Sequence, residues 1–165
     1  EKNDFVVGQI WATGLKEDRA NRYLLAQERG NWDFVETIQA IRRLNNPYGP
    51  SVTLIEEKAN GAAVITSIKT EMPAVVAINP EGGKESRASA IAPMFEAGNV
   101  WIPHPKQFPW AQAYVDELMS FPRANHDDQV DATTQALLRM KSRRTEDIDM
   151  GPSIMAGSRS SPWRV

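Results

Sequence analysis

The feature that most restricts this chain is an alternation of periods. Between residues 33 and 140, segments with apolar residues at helical spacing take turns with short apolar or β-branched runs, and each is closed by Gly or Pro. From Asp33 to Leu44 the positions Phe34, Val35, Ile38, Ile41 and Leu44 trace one face of a helix. Asn31 or Asp33 is available as its cap and Pro47 as its stop. Ser51 to Glu57 reads as a short buried strand, Ala62 to Thr70 as a helix ended by Pro73, and Ala74 to Ile78 as an all-apolar strand. Lys84 to Ala97 is helical with Ile91, Met94 and Phe95 inward and a kink at Pro93. Val100 to Ile102 is a strand, Phe108 to Phe121 a helix, and a last apolar-periodic run extends from Ala132 to Met140.

Two longer strands precede this series. Phe5 to Thr13 is β-branched and aromatic and ends at Gly14, and Arg22 to Gln27 follows after a charged link short enough for an antiparallel hairpin. A hairpin followed by crossover helices predicts an α/β fold with a mixed sheet flanked by helices, and strand 51–57 in the sheet interior. Beyond Met140 the chain turns rich in Lys, Arg, Ser, Gly and Pro. That composition divides it into a domain over 1–140 and a tail or linker over 141–165. The aromatic residues Trp11, Trp32, Trp101 and Trp110 are expected in the core rather than as base-stacking platforms.

With 19 basic and 21 acidic residues the net charge is −2, so a nucleic-acid role would need a local basic patch or metal ions. The absence of cysteine excludes a disulfide framework, a Cys-containing zinc site and a thiol nucleophile. No apolar run approaches the roughly 20 residues of a membrane helix. An intracellular location is the expectation.

Chemistry concentrates in two places. Glu56 and Glu57 stand at the carboxyl end of a strand between crossover helices, the edge where sites gather in open α/β sheets. Consecutive strand residues face opposite sides, so only one of the two can enter a given site, and spacing alone does not choose. The second place is His126-Asp127-Asp128-Gln129-Val130-Asp131-Ala132 at the start of the last helix. Aspartates in a first turn are favoured as caps and by the helix dipole, which accounts for one or two of these and less well for Asp131. On a helix Asp128 and Asp131 are three apart and Asp127 and Asp131 four apart, so the three line one side. Carboxylates so crowded repel unless a cation neutralises them, and hard divalent ions choose oxygen ligands, which points to Mg²⁺ or Mn²⁺. Glu56 joined to Asp128 and Asp131 would form a carboxylate cage. Two ions roughly 3.5–4 Å apart in such a cage would serve an in-line phosphodiester hydrolysis.

Lys84 and Arg87 follow the Gly82-Gly83 loop at a helix start and Lys58 follows the glutamate pair. All three are candidates for contact with nucleic-acid phosphates, against the alternative of a solvated, charged helix end. His126 is a first-turn residue beside the proposed metal, and His104, near two prolines, is a loop residue.

Five segments together resemble a known family: Asn3-Asp4-Phe5-Val6-Val7-Gly8, Leu54-Ile55-Glu56-Glu57-Lys58-Ala59-Asn60-Gly61, Lys84-Glu85-Ser86-Arg87, Ala97-Gly98-Asn99-Val100-Trp101-Ile102-Pro103, and the aspartate-rich run. In order and spacing, over nearly all of residues 3–140, they look like the C-terminal nuclease domain of tailed-phage large terminase subunits. The resemblance implies an RNase H-like fold that cuts concatemeric double-stranded DNA with acids on a first strand, a central strand and the final helix. Its central-strand acid precedes a glycine by five positions, which selects Glu56. The final-helix acid maps to Asp128, with Asp131 as a second ligand and Asp127 a further candidate. The family's first acid lies on a strand just upstream of Asn3, for which Asp4 is a poor substitute. Either that strand is missing from the chain as given, or this form is deficient in metal binding.

The resemblance also implies an ATPase motor, a small terminase and the portal as partners, and the host bacterial cytoplasm as location. No Gly-rich Lys-Ser/Thr phosphate loop appears within the 165 residues. Two other readings remain: a Holliday-junction resolvase of the same superfamily, and a catalytically deficient DNA-binding or docking module.

Overall fold

A computed structural model describes residues 5–16, 19–58 and 60–149. Asn3, Asp4 and Ala59, and the tail from residue 150 onward, lie outside the described residues.

The chain opens with strands β1 (Val6–Lys16) and β2 (Arg19–Gly30). They pair antiparallel along their whole length, from Val6 opposite Gly30 to Lys16 opposite Arg19, with a register shift between Ile10 and Trp11. Helix α1 (Phe34–Tyr48) starts with a reciprocal cap: the Asp33 side chain accepts from the Glu36 backbone, and the Glu36 carboxylate accepts from the Asp33 N–H. Pro47 does not stop this helix. It sits in the last turn, and Gly49, at a φ of 52°, ends the helix with its N–H on the Asn45 carbonyl.

Strand β3 (Thr53–Glu56), helix α2 (Gly61–Ile68) and strand β4 (Val75–Ile78) form a right-sized crossover unit, and β3 and β4 pair in parallel with Glu56 opposite Ile78. Helix α3 (Lys84–Glu96) runs through Pro93, and the short strand β5 (Val100–Trp101) adds in parallel to β2. Helices α4 (Trp110–Ser120) and α5 (Asp128–Asp149) complete the order. The last helix passes Met140, where the apolar periodicity stops, and reaches Asp149. No helix among the described residues is long and apolar enough to cross a membrane.

The expected mixed α/β architecture is present, with one change in the sheet. β1, β2 and β5 form a three-stranded mixed sheet, while β3 and β4 form a separate pair. β3 is therefore an edge strand among the described residues, not an interior one. The backbone of Thr53 through Glu56 pairs with β4, and among the described residues no strand pairs with the other side of β3.

Gly8 and Gln9 show how the helices cover this arrangement. A Cβ on Gly8 would meet the Leu44 side chain of α1 at 2.5 Å, whereas Gln9 donates to the Gln129 carbonyl of α5. Successive strand residues face opposite sides, so α1 and α5 lie on opposite faces of β1. One apolar cluster, Ile38, Val64, Ile65, Ile68 and Val75, fills the space between α1, α2 and β4, with Ile55 and Met72 packed against it. Ile10, Leu24, Ala111, Tyr114, Val130 and Leu137 are buried on β1, β2, α4 and α5.

The tryptophans depart from expectation. None of the four is fully buried; Trp11 and Trp32 are half-buried, and Trp101 is 44% exposed, stacked on Tyr23 and donating to the Asn21 side chain. The indole N–H needs a polar partner, which Asn21 supplies at 3.1 Å.

Candidate active site

A cleft of about 1460 Å³ separates the two sheets. Every residue from Phe5 to Leu15 lines it. Side chains alternate between faces along a strand, so an unbroken lining means that the edge of β1, not one of its faces, borders the space. Ser51 to Glu56 border it from the other side. Thr37, Ala40, Ile41 and Leu44 of α1 and Ala132, Gln135, Ala136 and Met140 of α5 supply the remaining walls. The cleft is thus a strand-shaped interior position between two helical layers, with unpaired edges on both flanks among the described residues.

Glu56, Lys58, Asp128, Asp131 and Gln135 all line that cleft. The two glutamates have different partners. Glu56 accepts from the Gln135 side chain of α5 at 3.0 Å, whereas Glu57 accepts from Asn79, beyond the end of β4, at 2.6 Å. Glu56 therefore faces the aspartate helix and Glu57 turns away, as strand alternation requires. The glycine five positions on has a steric reason. A Cβ at Gly61 would sit 1.8 Å from the Glu56 carbonyl oxygen, so the entry to α2 can pass the end of β3 this closely only without a side chain.

The three aspartates do not act as one stripe. Asp127 precedes α5 and accepts from Lys84 at 2.6 Å. Asp131 has both oxygens taken, one by Lys84 at 2.9 Å and the other by Arg87 at 2.7 Å. Arg87 also donates to the Gly82 carbonyl, where a φ of 75° turns the loop, so its guanidinium ties that loop to α5. Asp128 points elsewhere, 3.7 Å from Arg29 and 3.9 Å from the His126 ring, which in turn packs edge-on against Phe5. Burial disfavours the Lys84 ammonium, but its hydrogen bonds to Asp127 and Asp131 and the charge of those carboxylates outweigh it and raise its pKa. The crowded carboxylates do have neutralising cations, and in this structure they are side chains.

Of the residues considered for DNA contact, Lys58 pairs with Glu56 at 3.0 Å and is largely exposed. Lys84 and Arg87 reach Asp131 from outside the cleft. His104 is in a loop, as expected, accepting from the Lys106 N–H. Among the described residues no three carboxylate or histidine side chains group closely enough to hold a metal ion.

Three participants escaped sequence reasoning. Gln135 is one helical turn beyond Asp131, a spacing that could have revealed it. Arg29, near the end of β2, and Glu117, on the inner face of α4, carry no local signal; only the tertiary structure brings them to the start of α5.

Comparison with individual curated proteins gives no match. A family model described as the Terminase RNaseH-like domain does match, over residues 1–140 of the 165, and by that match the chain belongs to the terminase RNase H-like domain family.

Proposed function

We propose that this chain is a metal-dependent endonuclease domain that cuts concatemeric double-stranded DNA during phage genome packaging. One observation carries the reading: Glu56 from β3 and Asp128 and Asp131 from α5 line one cleft, although 72 and 75 positions of sequence separate them from Glu56, and Gln135 of α5 bonds the Glu56 carboxylate at 3.0 Å. Family membership supports a nuclease role.

The donor set suits Mg²⁺ or Mn²⁺ in kind, since Glu56, Asp128 and Asp131 offer only oxygen. It is short in number, because Lys84 and Arg87 occupy both oxygens of Asp131. We assign Glu56 and Asp128 as the primary ligands, with Asp131 and Asp127 joining when Lys84 and Arg87 turn to DNA phosphates. Divalent ions held by these carboxylates would supply positive charge for phosphodiester hydrolysis. The chain's own residues orient the site. Gln135 holds the Glu56 carboxylate, Arg29 faces Asp128, and Lys58, Lys84 and Arg87 present cations to the backbone of the duplex.

A strand seated between β1 and β3 would join the two sheets into one, and an acidic residue near its end would add the third oxygen wall. Partners in this reading are double-stranded DNA, the terminase ATPase domain, the small terminase and the portal, within the host cytoplasm.

Replacement of Glu56 or Asp128 by Ala is expected to abolish Mn²⁺-supported cleavage of linear duplex while far-UV circular dichroism stays unchanged. Unaltered cleavage in both variants would remove the site assignment, and preferential cutting of four-way junctions would turn the reading toward a resolvase. The full occupancy of Asp131 favours a second reading, a non-catalytic DNA-docking module. Calorimetry separates the two: an absence of Mn²⁺ binding supports docking.

A further inference from the structure

The start of α5 is held by a carboxylate from another helix. Glu117 of α4 is buried, and its Oε1 accepts the backbone N–H of Gln129 at 2.7 Å and of Val130 at 3.2 Å. Its Oε2 accepts from the Gln129 side chain and lies 3.4 Å from Arg29. The first N–H groups of a helix have no partner within it, and their dipole favours a negative charge. Glu117 meets both needs from outside. The residue it grips, Gln129, is only 1% exposed and directly follows Asp128.

The grip extends across the domain. Trp11 donates to Gln9, Gln9 to Gln27, Gln27 to Gln129, and Gln129 to Glu117. An indole can only donate and a carboxylate can only accept, so the two ends set the direction of all three amides between them. The chain starts at Trp11 on the cleft edge of β1 and ends at the helix start that carries Asp128. Arg29 closes the circuit. It faces Glu117 and Asp128 together, and its guanidinium lies 4.0 Å over the Phe5 ring.

We propose that Glu117 is a positioning residue for the cleft: through Gln129, Val130 and Arg29 it sets where the Asp128 carboxylate stands relative to β1. This rests on the reading of the cleft as a nuclease site, and its test therefore has one arm independent of metal and one that uses it. Glu117→Gln keeps the volume but leaves a single acceptor oxygen and puts an NH₂ among donors, so either the backbone N–H pair or the Gln129 amide loses its partner.

In the metal-free full chain, E117Q is expected to lower the hydrogen-exchange protection of Gln129 and Val130 at least tenfold and to move the Asp128 side-chain carboxyl carbon resonance. Amides of α1 and β4 are expected to keep their protection. Glu117→Asp, which keeps the charge but withdraws it by one methylene, is expected to show the same local pattern more weakly. Unchanged Gln129 and Val130 protection, a loss spread evenly over all elements, or failure of both variants to fold would each overturn the proposal.

The second arm measures Mn²⁺ binding by calorimetry, where E117Q is expected to weaken the affinity about tenfold. Unweakened Mn²⁺ binding in an E117Q chain that shows the local loss would overturn the positioning role. A parent chain whose Mn²⁺ binding does not respond to Asp128→Ala defeats the nuclease-site reading instead, and the metal-free arm then decides the role of Glu117 alone.

Discussion

Gly61→Ala isolates the geometry that aims Glu56. Two effects of opposite sign compete. Alanine is the better helix former, by about 1 kcal/mol in a helix interior and less at a first position such as this. Against that, the new Cβ would lie 1.8 Å from the Glu56 carbonyl oxygen and 2.9 Å from its carbon, where ordinary contacts do not fall below 3.0 Å. The obstacle is backbone, so it cannot rotate away; either the end of β3 or the start of α2 must shift by more than an ångström. Overpacking of this kind costs typically ~1–3 kcal/mol. The upper half of that range is appropriate where no side chain can yield, so the net destabilisation should be about 2 kcal/mol. For a domain of this size that lowers the melting temperature by roughly 4–8 °C. Gly83→Ala is the internal control: it also sits at a helix start, at a φ of −74°, and its Cβ would meet nothing within 4 Å. Its effect should stay within about 0.5 kcal/mol of zero. Thermal and urea melts of the two variants provide the assay, with cleavage or Mn²⁺ binding as a second readout of the displaced Glu56. A Gly61→Ala chain as stable as Gly83→Ala would refute the close approach and with it the steric account of the five-residue spacing.

Gly8→Ala is expected to cost about 1–3 kcal/mol because its Cβ meets Leu44 at 2.5 Å, and pairing it with Leu44→Ala should recover part of that loss, so a double-mutant cycle in urea should show a favourable coupling. Tyr114→Phe removes a buried hydrogen bond to Thr133 and should cost about 1 kcal/mol at neutral pH. Burial raises the Tyr114 phenol pKa, so the native state keeps its proton after the unfolded chain has lost it; stability is present below about pH 10 and declines above it, and the Phe variant should decline less in alkaline melts. Mn²⁺ affinity should rise when a non-cleavable duplex is present, because phosphates that draw Lys84 and Arg87 away release Asp131; calorimetry showing equal affinity with and without duplex would count against that exchange.

The elements were readable because their causes are local. Asp33 and Glu36 three apart cap α1, apolar spacing marks its buried face at Ile38 and Leu44, and Gly49 ends it in a conformation that suits glycine. Pro47 misleads for a local reason too: a proline is tolerated when the helix has only one more residue to run. The separation of β3 from β1 was not readable. Apolar content says that a strand is covered, not which strands flank it, and Ile55 owes its cover to the cluster around Ile38 rather than to a neighbouring strand on each side.

The site was half readable, and the missing half is electrostatic. Crowded carboxylates at 127, 128 and 131 do demand positive charge, and a helix start followed by aspartates announces that demand without naming what meets it. Lys84 and Arg87 follow a glycine loop at another helix start, a position that by itself points to phosphate. Only the packing of α3 against α5 shows that the two charge clusters face each other, 43 to 47 positions apart in sequence. Neutrality by itself cannot distinguish a divalent ion from a pair of side chains. What distinguishes them is whether an oxygen remains free to bind. On that criterion Asp131 is committed to its cations in the unliganded chain, and Glu56, which shares its oxygens with an exposed lysine and a neutral amide, is the more available of the two. Availability thus follows how readily each partner can leave. An exposed ammonium departs into water at little cost, whereas the Arg87 guanidinium is held at two points, by Asp131 and by the Gly82 carbonyl, so the Glu56 oxygen beside Lys58 is freed more readily than the Asp131 oxygen beside Arg87.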